Sequence, residues 1–208
     1  FLVEEVPAGM NKETLKSCSE VVLRASTALV GIYTKAKADL NQIHWVQYRK
    51  ARALYNLGKL EESKVILEKA ATEKKLGPYI FDIKFLLGAI ASQQNDFAQV
   101  QSIYSKLMGL DMRMPADLNR SVRIRTEWAS AYLNVDKPEL VKKGRGLAML
   151  SKDTNIDALD EKGAQMVQKA FYLFVVFEKK MGEDITASRK EFLKRFPTSP
   201  YALTVRKL

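Results

Sequence analysis

The chain has 208 residues, 34 of them Lys or Arg against 24 Asp or Glu, for a formal net charge of +10. Apolar residues make up 47%. That is enough to bury a core in one domain or a short solenoid, and no apolar run approaches the roughly 20 residues of a membrane-spanning helix. A single histidine and a single cysteine exclude an internal disulfide, a His–Cys metal cluster and the usual zinc sites.

Residues 1–10 read as an extended N-terminal segment; the chain begins at Phe1 rather than Met and reads as a fragment or processed product. Leu15, Cys18, Val22, Ala25, Leu29 and Ile32 recur at intervals of three or four, which predicts a long helix over 11–41 with an apolar stripe and a kink at Gly31. Cys18 is expected in that stripe as a buried small hydrophobe. A helical hairpin follows near 43–57 and 60–75, turning at Gly58, where a helix end favours a left-handed residue. Gly77-Pro78 breaks the chain.

A second hairpin is expected near 79–94 and 96–109, with Asn95-Asp96 as turn and cap. A third lies near 117–135 and 137–150, where Asp136 and Glu139 have capping-box spacing and Pro138 falls in the first turn. A fourth pair lies near 157–181 and 184–195, turning at Gly182. Its apolar run Phe171-Tyr-Leu-Phe-Val-Val-Phe177 is too short to span a bilayer and reads as a buried core helix. Ser199-Pro200 opens a terminal capping helix over 199–206. All six prolines fall at ends or turns, as the roughly 3 kcal/mol cost of a proline inside a helix requires. The count is about nine or ten helices, all-α, forming one domain over 11–208.

Chemistry has little to build on. His44 stands at a helix start, where a satisfied histidine is the expected role. Gly144-Arg-Gly146 lacks the strand–loop–helix context of a phosphate loop. The pairs Glu4-Glu5 and Glu61-Glu62 diverge on a helix. The expectation is no catalytic residue, no cofactor and no metal. The positive charge favours an anionic partner or is an ordinary solvated surface. Its two loose clusters, Arg113 with Arg120, Arg123 and Arg125, and Lys142 with Lys143 and Arg145, lack the density of a nucleic-acid-binding arm.

Superposed, the hairpins share a pattern. The first has Ala51, Leu54, Gly58, Leu60, Ser63, Leu67 and Ala70; the second Leu87, Gly88, Ala91, Asn95, Phe97, Val100, Tyr104 and Leu107; the third Ala129, Tyr132, Asp136, Val141 and Ala148. These residues resemble the tetratricopeptide repeat, with small residues at close helix crossings, large ones in the holes and a turn former between. The turn residues are spaced 37, 41 and 46 apart against a period of about 34 in that family, so the stacking is expected to be irregular. The resemblance implies a right-handed superhelical stack of antiparallel hairpins, an α-solenoid whose first helices line a concave face.

By position that face takes Trp45, Tyr48, Arg52, Tyr55 and Asn56 from the first hairpin, Phe85 and Gln93 from the second, and Arg123, Thr126 and Asn134 from the third. Rings, Arg and amides suit a peptide; Trp45 and Tyr48 have a second reading as packing residues against the long first helix. The pattern of chaperone-tail clamps is not reproduced. The junction Phe196-Pro197-Thr198-Ser199-Pro200-Tyr201-Ala202 is similar to repeats of bacterial envelope proteins, including the lipoprotein of the outer-membrane β-barrel assembly machine and the periplasmic partner of TolA. It also reads as a plain helix end, proline stop and new cap. Together these imply a non-enzymatic interaction scaffold, periplasmic or envelope-associated, holding a protein or peptide partner to which an acidic character would suit. The alternative is a nucleic-acid or anionic-membrane-surface binder on the same fold, recognisable by steep loss of binding with salt.

Overall fold

The computed structural model of the chain describes residues 11–72, 79–111 and 117–208. The extended segment expected over 1–10 with its Glu4-Glu5 pair, the helix end at 73–75, the Gly77-Pro78 break, Arg113 and Pro115 lie outside the described residues. Within them the protein is all-α. The helices are α1 (Lys12–Lys35), α2 (Leu40–Asn56), α3 (Leu60–Ala71), α4 (Ile80–Gln93), α5 (Phe97–Asp111), α6 (Leu118–Ala131), α7 (Pro138–Lys152), α8 (Glu161–Lys180), α9 (Thr186–Arg195) and α10 (Ala202–Lys207). No strand occurs among the described residues. None of their helices is long and apolar enough to cross a membrane. The chain forms two compact units, one ending at Gln94 and one beginning at Asn95. The boundary falls at the turn of the second expected hairpin, so its two helices belong to different units.

In the first unit each helix packs on the next, and α2 also reaches α4. The side chain of Asn11 caps α1 by accepting the Thr14 N–H at 2.8 Å. The helix ends at Lys35, earlier than its apolar periodicity suggests, because Lys37 turns left-handed with φ 50° and α2 starts at Leu40. The buried edge of α1 differs from the expected stripe. Ser19 and Ser26 are each 4% exposed, whereas Ile32 is 57% exposed and Ala25 lies at the surface. Serines permit close approach to α2, and Ser26 satisfies its own hydroxyl by donating to the Val22 carbonyl at 2.7 Å, so burying it leaves no polar group stranded.

The α2–α3 hairpin follows the small–large pattern. Gly58 turns the chain with φ 77°, a conformation that side chains disfavour. Ala51 and Ser63 meet where the helices cross, both fully buried, and the Ser63 hydroxyl donates to the Ala51 carbonyl at 2.7 Å. Leu54, Leu67 and Ala70 fill the seam.

The second unit opens with a division of labour at its first turn: Asn95 is left-handed (φ 58°) and Asp96 caps α5 by accepting the Gln99 N–H at 3.0 Å. Val100, Tyr104, Leu107, Ala129, Tyr132, Val141 and Ala148, all pattern positions, are buried. The Asp136 cap is not formed. The Pro138 ring occupies the first helical position, Lys137 becomes the N-cap without a side-chain bond, and Asp136 stands one residue too early; its carboxylate lies 3.7 Å from the Lys180 ammonium instead. At the α7–α8 crossing Gly144 admits the ring of Phe177: a methyl on Gly144 would sit 2.5 Å from Phe177 Cζ.

The apolar run of α8 is buried as expected, with Phe171, Val175 and Phe177 fully covered. Phe192 and Phe196 pack edge-on against Phe171 at 5.4 and 6.4 Å, and Tyr201 stacks on Tyr172 at 4.8 Å. The terminal helix begins at Ala202 rather than at Ser199, because Ser199 is buried and spends its hydroxyl accepting the Tyr201 N–H in the preceding turn.

Candidate functional site

The polar strip of α2 is the most coherent set of exposed functional groups that the sequence pointed to. Arg52, Tyr55 and Asn56 lie within five residues on one helix and all are half-buried. The Arg52 guanidinium lies over the Tyr55 ring, 5.9 Å from its centroid. Gln93, from the end of α4, donates its amide N–H to the Tyr55 hydroxyl at 2.7 Å. Tyr55 and Gln93 are therefore brought together as their shared face suggested, and this bond fixes the ring beneath the guanidinium. Arg52 makes no ion pair among the described residues.

Other expected members fall elsewhere. Tyr48 is 9% and Phe85 7% exposed, so both are core residues, matching the packing reading of Tyr48. Trp45 is half-buried and carries the Arg49 guanidinium 5.5 Å over its ring. Arg123, Thr126 and Asn134 belong to the second unit. Thr126 is fully buried, with its hydroxyl 3.5 Å from the Met166 carbonyl on α8, and has no surface to offer a partner. Arg123 is half-buried and Asn134 exposed beyond the end of α6.

Beside the α2 strip lies a cleft the sequence reading did not see. It is a shallow, half-open cleft of about 30 Å³ between α1 and α2. Leu15, Cys18, Ser19 and Val22 line it from α1, and Arg49, Arg52, Ala53 and Asn56 from α2. Cys18 is half-buried at this cleft rather than sealed in the core. The periodicity of α1 did carry a signal for it: Leu15, Cys18 and Val22 are stripe residues left incompletely covered where Ser19 takes the closest contact.

Several members of the basic clusters of the second unit, Arg120, Lys143 and Arg145, are engaged internally. Asp111, 8% exposed at the end of α5, accepts a hydrogen bond from the Arg120 guanidinium and one from the Ser121 hydroxyl at 2.5 Å. Arg120 also reaches Asp117 at 3.4 Å. Burial holds the Arg125 guanidinium below its usual pKa, and the nearby Asp111 charge opposes that shift. Arg145 lies 3.1 Å from Glu183 and 3.4 Å from Glu178, and the Lys143 ammonium sits 4.6 Å over Trp128.

Burial raises the Tyr132 phenol above its ordinary pKa, opposed by the hydrogen bond that the Trp128 indole N–H donates to it at 2.9 Å. A raised phenol favours folding fully below its unfolded pKa, and that contribution disappears as pH climbs through the folded value. Stability should therefore fall above about pH 10. In Tyr132→Phe the alkaline slope, followed by denaturant midpoint against pH, should be flatter; an unchanged slope would remove Tyr132 as its source.

His44 is 4% exposed near the start of α2 and is engaged by neighbours, the structural role expected of it. Among the described residues no group of three or more His, Cys, Asp or Glu side chains is placed to hold a metal ion. No protein-family model matches the chain, and no curated protein or solved structure matches it.

Proposed function

We propose that the chain is a non-enzymatic interaction scaffold, with helical hairpins of tetratricopeptide type stacked within each unit and a protein partner held against the α2 strip of the first. The observation that carries this reading is the Arg52–Tyr55–Asn56 strip: contiguous, half-exposed, braced by Gln93, and bearing a guanidinium with no carboxylate of its own among the described residues. A braced aromatic and an arginine are the groups that dominate protein interfaces, because they supply large contact area and directional bonds at little ordering cost. The stacking reading is supported by burial of the small–large pattern at Ala51, Ser63, Ala129 and Ala148 and by sequential packing of neighbouring helices inside each unit, the nearest-neighbour arrangement of repeat proteins.

A cell-envelope setting is part of the proposal and rests on the junction Phe196–Ala202. Its Phe196 and Tyr201 also serve the core of the second unit.

The test is partner capture with the full chain carrying Arg52→Ala and Asn56→Ala. Capture should fall about tenfold, the equivalent of roughly 1.4 kcal/mol, with the helical dichroism unchanged. Undiminished capture by the double variant removes the α2 strip as the binding face.

A further inference from the structure

The cleft between α1 and α2 has two chemically different walls. On α1, Leu15, Cys18 and Val22 present thiol and hydrocarbon. On α2, Arg52 and Asn56 present a guanidinium and an amide, with Ala53 between them leaving room at the floor. Among the described residues no Asp or Glu lines the cleft, and the Arg52 guanidinium lies against the Tyr55 ring. Its N–H donors are thus matched by no anion among the described residues, in a chain whose net charge of +10 draws anions toward it.

The lining runs from Leu15 to Val22 on one helix and from Arg49 to Asn56 on the other. At 1.5 Å per residue, each wall is about 10 Å long, the length of about three extended residues. Successive side chains of an extended segment point to opposite sides. A segment lying along this trough turns its middle side chain to one wall and its two neighbours to the other.

We infer that the cleft holds an extended stretch of the partner protein in which an acidic side chain is flanked by two small aliphatic ones. The inference rests on the scaffold reading above and supplies its partner chemistry. The carboxylate takes the fork of Arg52 in a bidentate pair and a further N–H from the Asn56 amide. The aliphatic neighbours cover Leu15 and Val22, removing apolar surface from water. Cys18 lies under the segment and is shielded by it.

The experiment uses the full chain and the peptide acetyl-Gly-Val-Glu-Val-Gly-amide, with its Gln analogue as control. Cys18 is the only cysteine, so its alkylation by N-ethylmaleimide reports on this cleft alone. Saturating Glu peptide should slow alkylation about tenfold, and the Gln analogue should need about ten times the concentration to do the same. Arg52→Lys, which keeps the charge but loses the fork, should erase most of that preference. Equal protection by the two peptides, no protection by either, or stronger protection by acetyl-Gly-Val-Val bearing a free chain-end carboxylate would overturn the inference. The two proposals fail separately. Loss of partner capture in the Arg52/Asn56 variant without peptide protection sinks the cleft chemistry and leaves the scaffold; peptide protection with undiminished capture does the reverse.

Discussion

Replacing Asp111 by Ala should destabilise the second unit by about 3 kcal/mol, the largest single-residue effect expected here. Its side chain is almost fully covered and receives both the Arg120 guanidinium and the Ser121 hydroxyl, with Arg125 close enough to feel its charge. Removing it does more than delete two hydrogen bonds. Arg120, whose side chain is only 15% exposed, loses its closest counter-charge, and Arg125, already opposed by burial, loses a neighbouring charge that favours its protonated form. Asp111→Asn separates these contributions, because the amide still accepts from Ser121 but carries no charge. Urea titration should rank wild type above Asn above Ala. Midpoints agreeing within about 0.5 kcal/mol would show that water already solvates the guanidinium and that the carboxylate is no clamp.

Gly144→Ala should cost about 2 kcal/mol, through overpacking. Elsewhere in a helix the same change is stabilising by close to 1 kcal/mol, so the expected sign is itself diagnostic. The added methyl would stand 2.5 Å from Phe177 Cζ and 2.9 Å from Cε1. Phe177 is fully buried, so the ring has no solvent to retreat into and the helices must part. Gly146, two residues on, has open space around it, and Gly146→Ala should be neutral or stabilising. Shortening the obstacle in Gly144→Ala/Phe177→Leu should make the double variant more stable than the sum of the single changes, by about 1 kcal/mol of coupling. Strict additivity would show that the methyl is accommodated elsewhere.

The helices were legible in the sequence because their punctuation is local. Gly58, Asn95 and Gly182 all take the left-handed φ assigned to turn formers, and small residues such as Ala51, Ser63 and Ala129 occupy the tight crossings. What failed depended on a partner or a single register step. Asp136 missed its cap by one residue because Pro138 fixed where α7 begins. The α1 stripe was read through its large apolar residues, yet Ser19 and Ser26 make the close approach; hydrophobicity alone ranks serine as surface, while helix packing ranks it by size. Of the candidate face, Arg52, Tyr55 and Asn56 are partly exposed on α2 and Gln93 meets Tyr55, but Thr126 and Phe85 are covered by neighbours that periodicity on their own segments does not reveal. The α1–α2 cleft was invisible for the same reason.

Several cations of the second unit rest on rings: Lys143 over Trp128 at 4.6 Å, Lys152 over Phe171 and Phe174 at 5.1 and 5.0 Å, and Arg145 over Phe174 at 5.1 Å. Their alkyl stems lie along apolar surface, and the Lys152 ammonium, on a side chain only 13% exposed, also pairs with Asp153 at 2.6 Å. Acetylating Lys143 and Lys152 would discharge them and abolish their attraction to rings that stay covered by their own helices. The treated molecule should therefore soften rather than cloud, with a lower melting temperature as the first sign of damage.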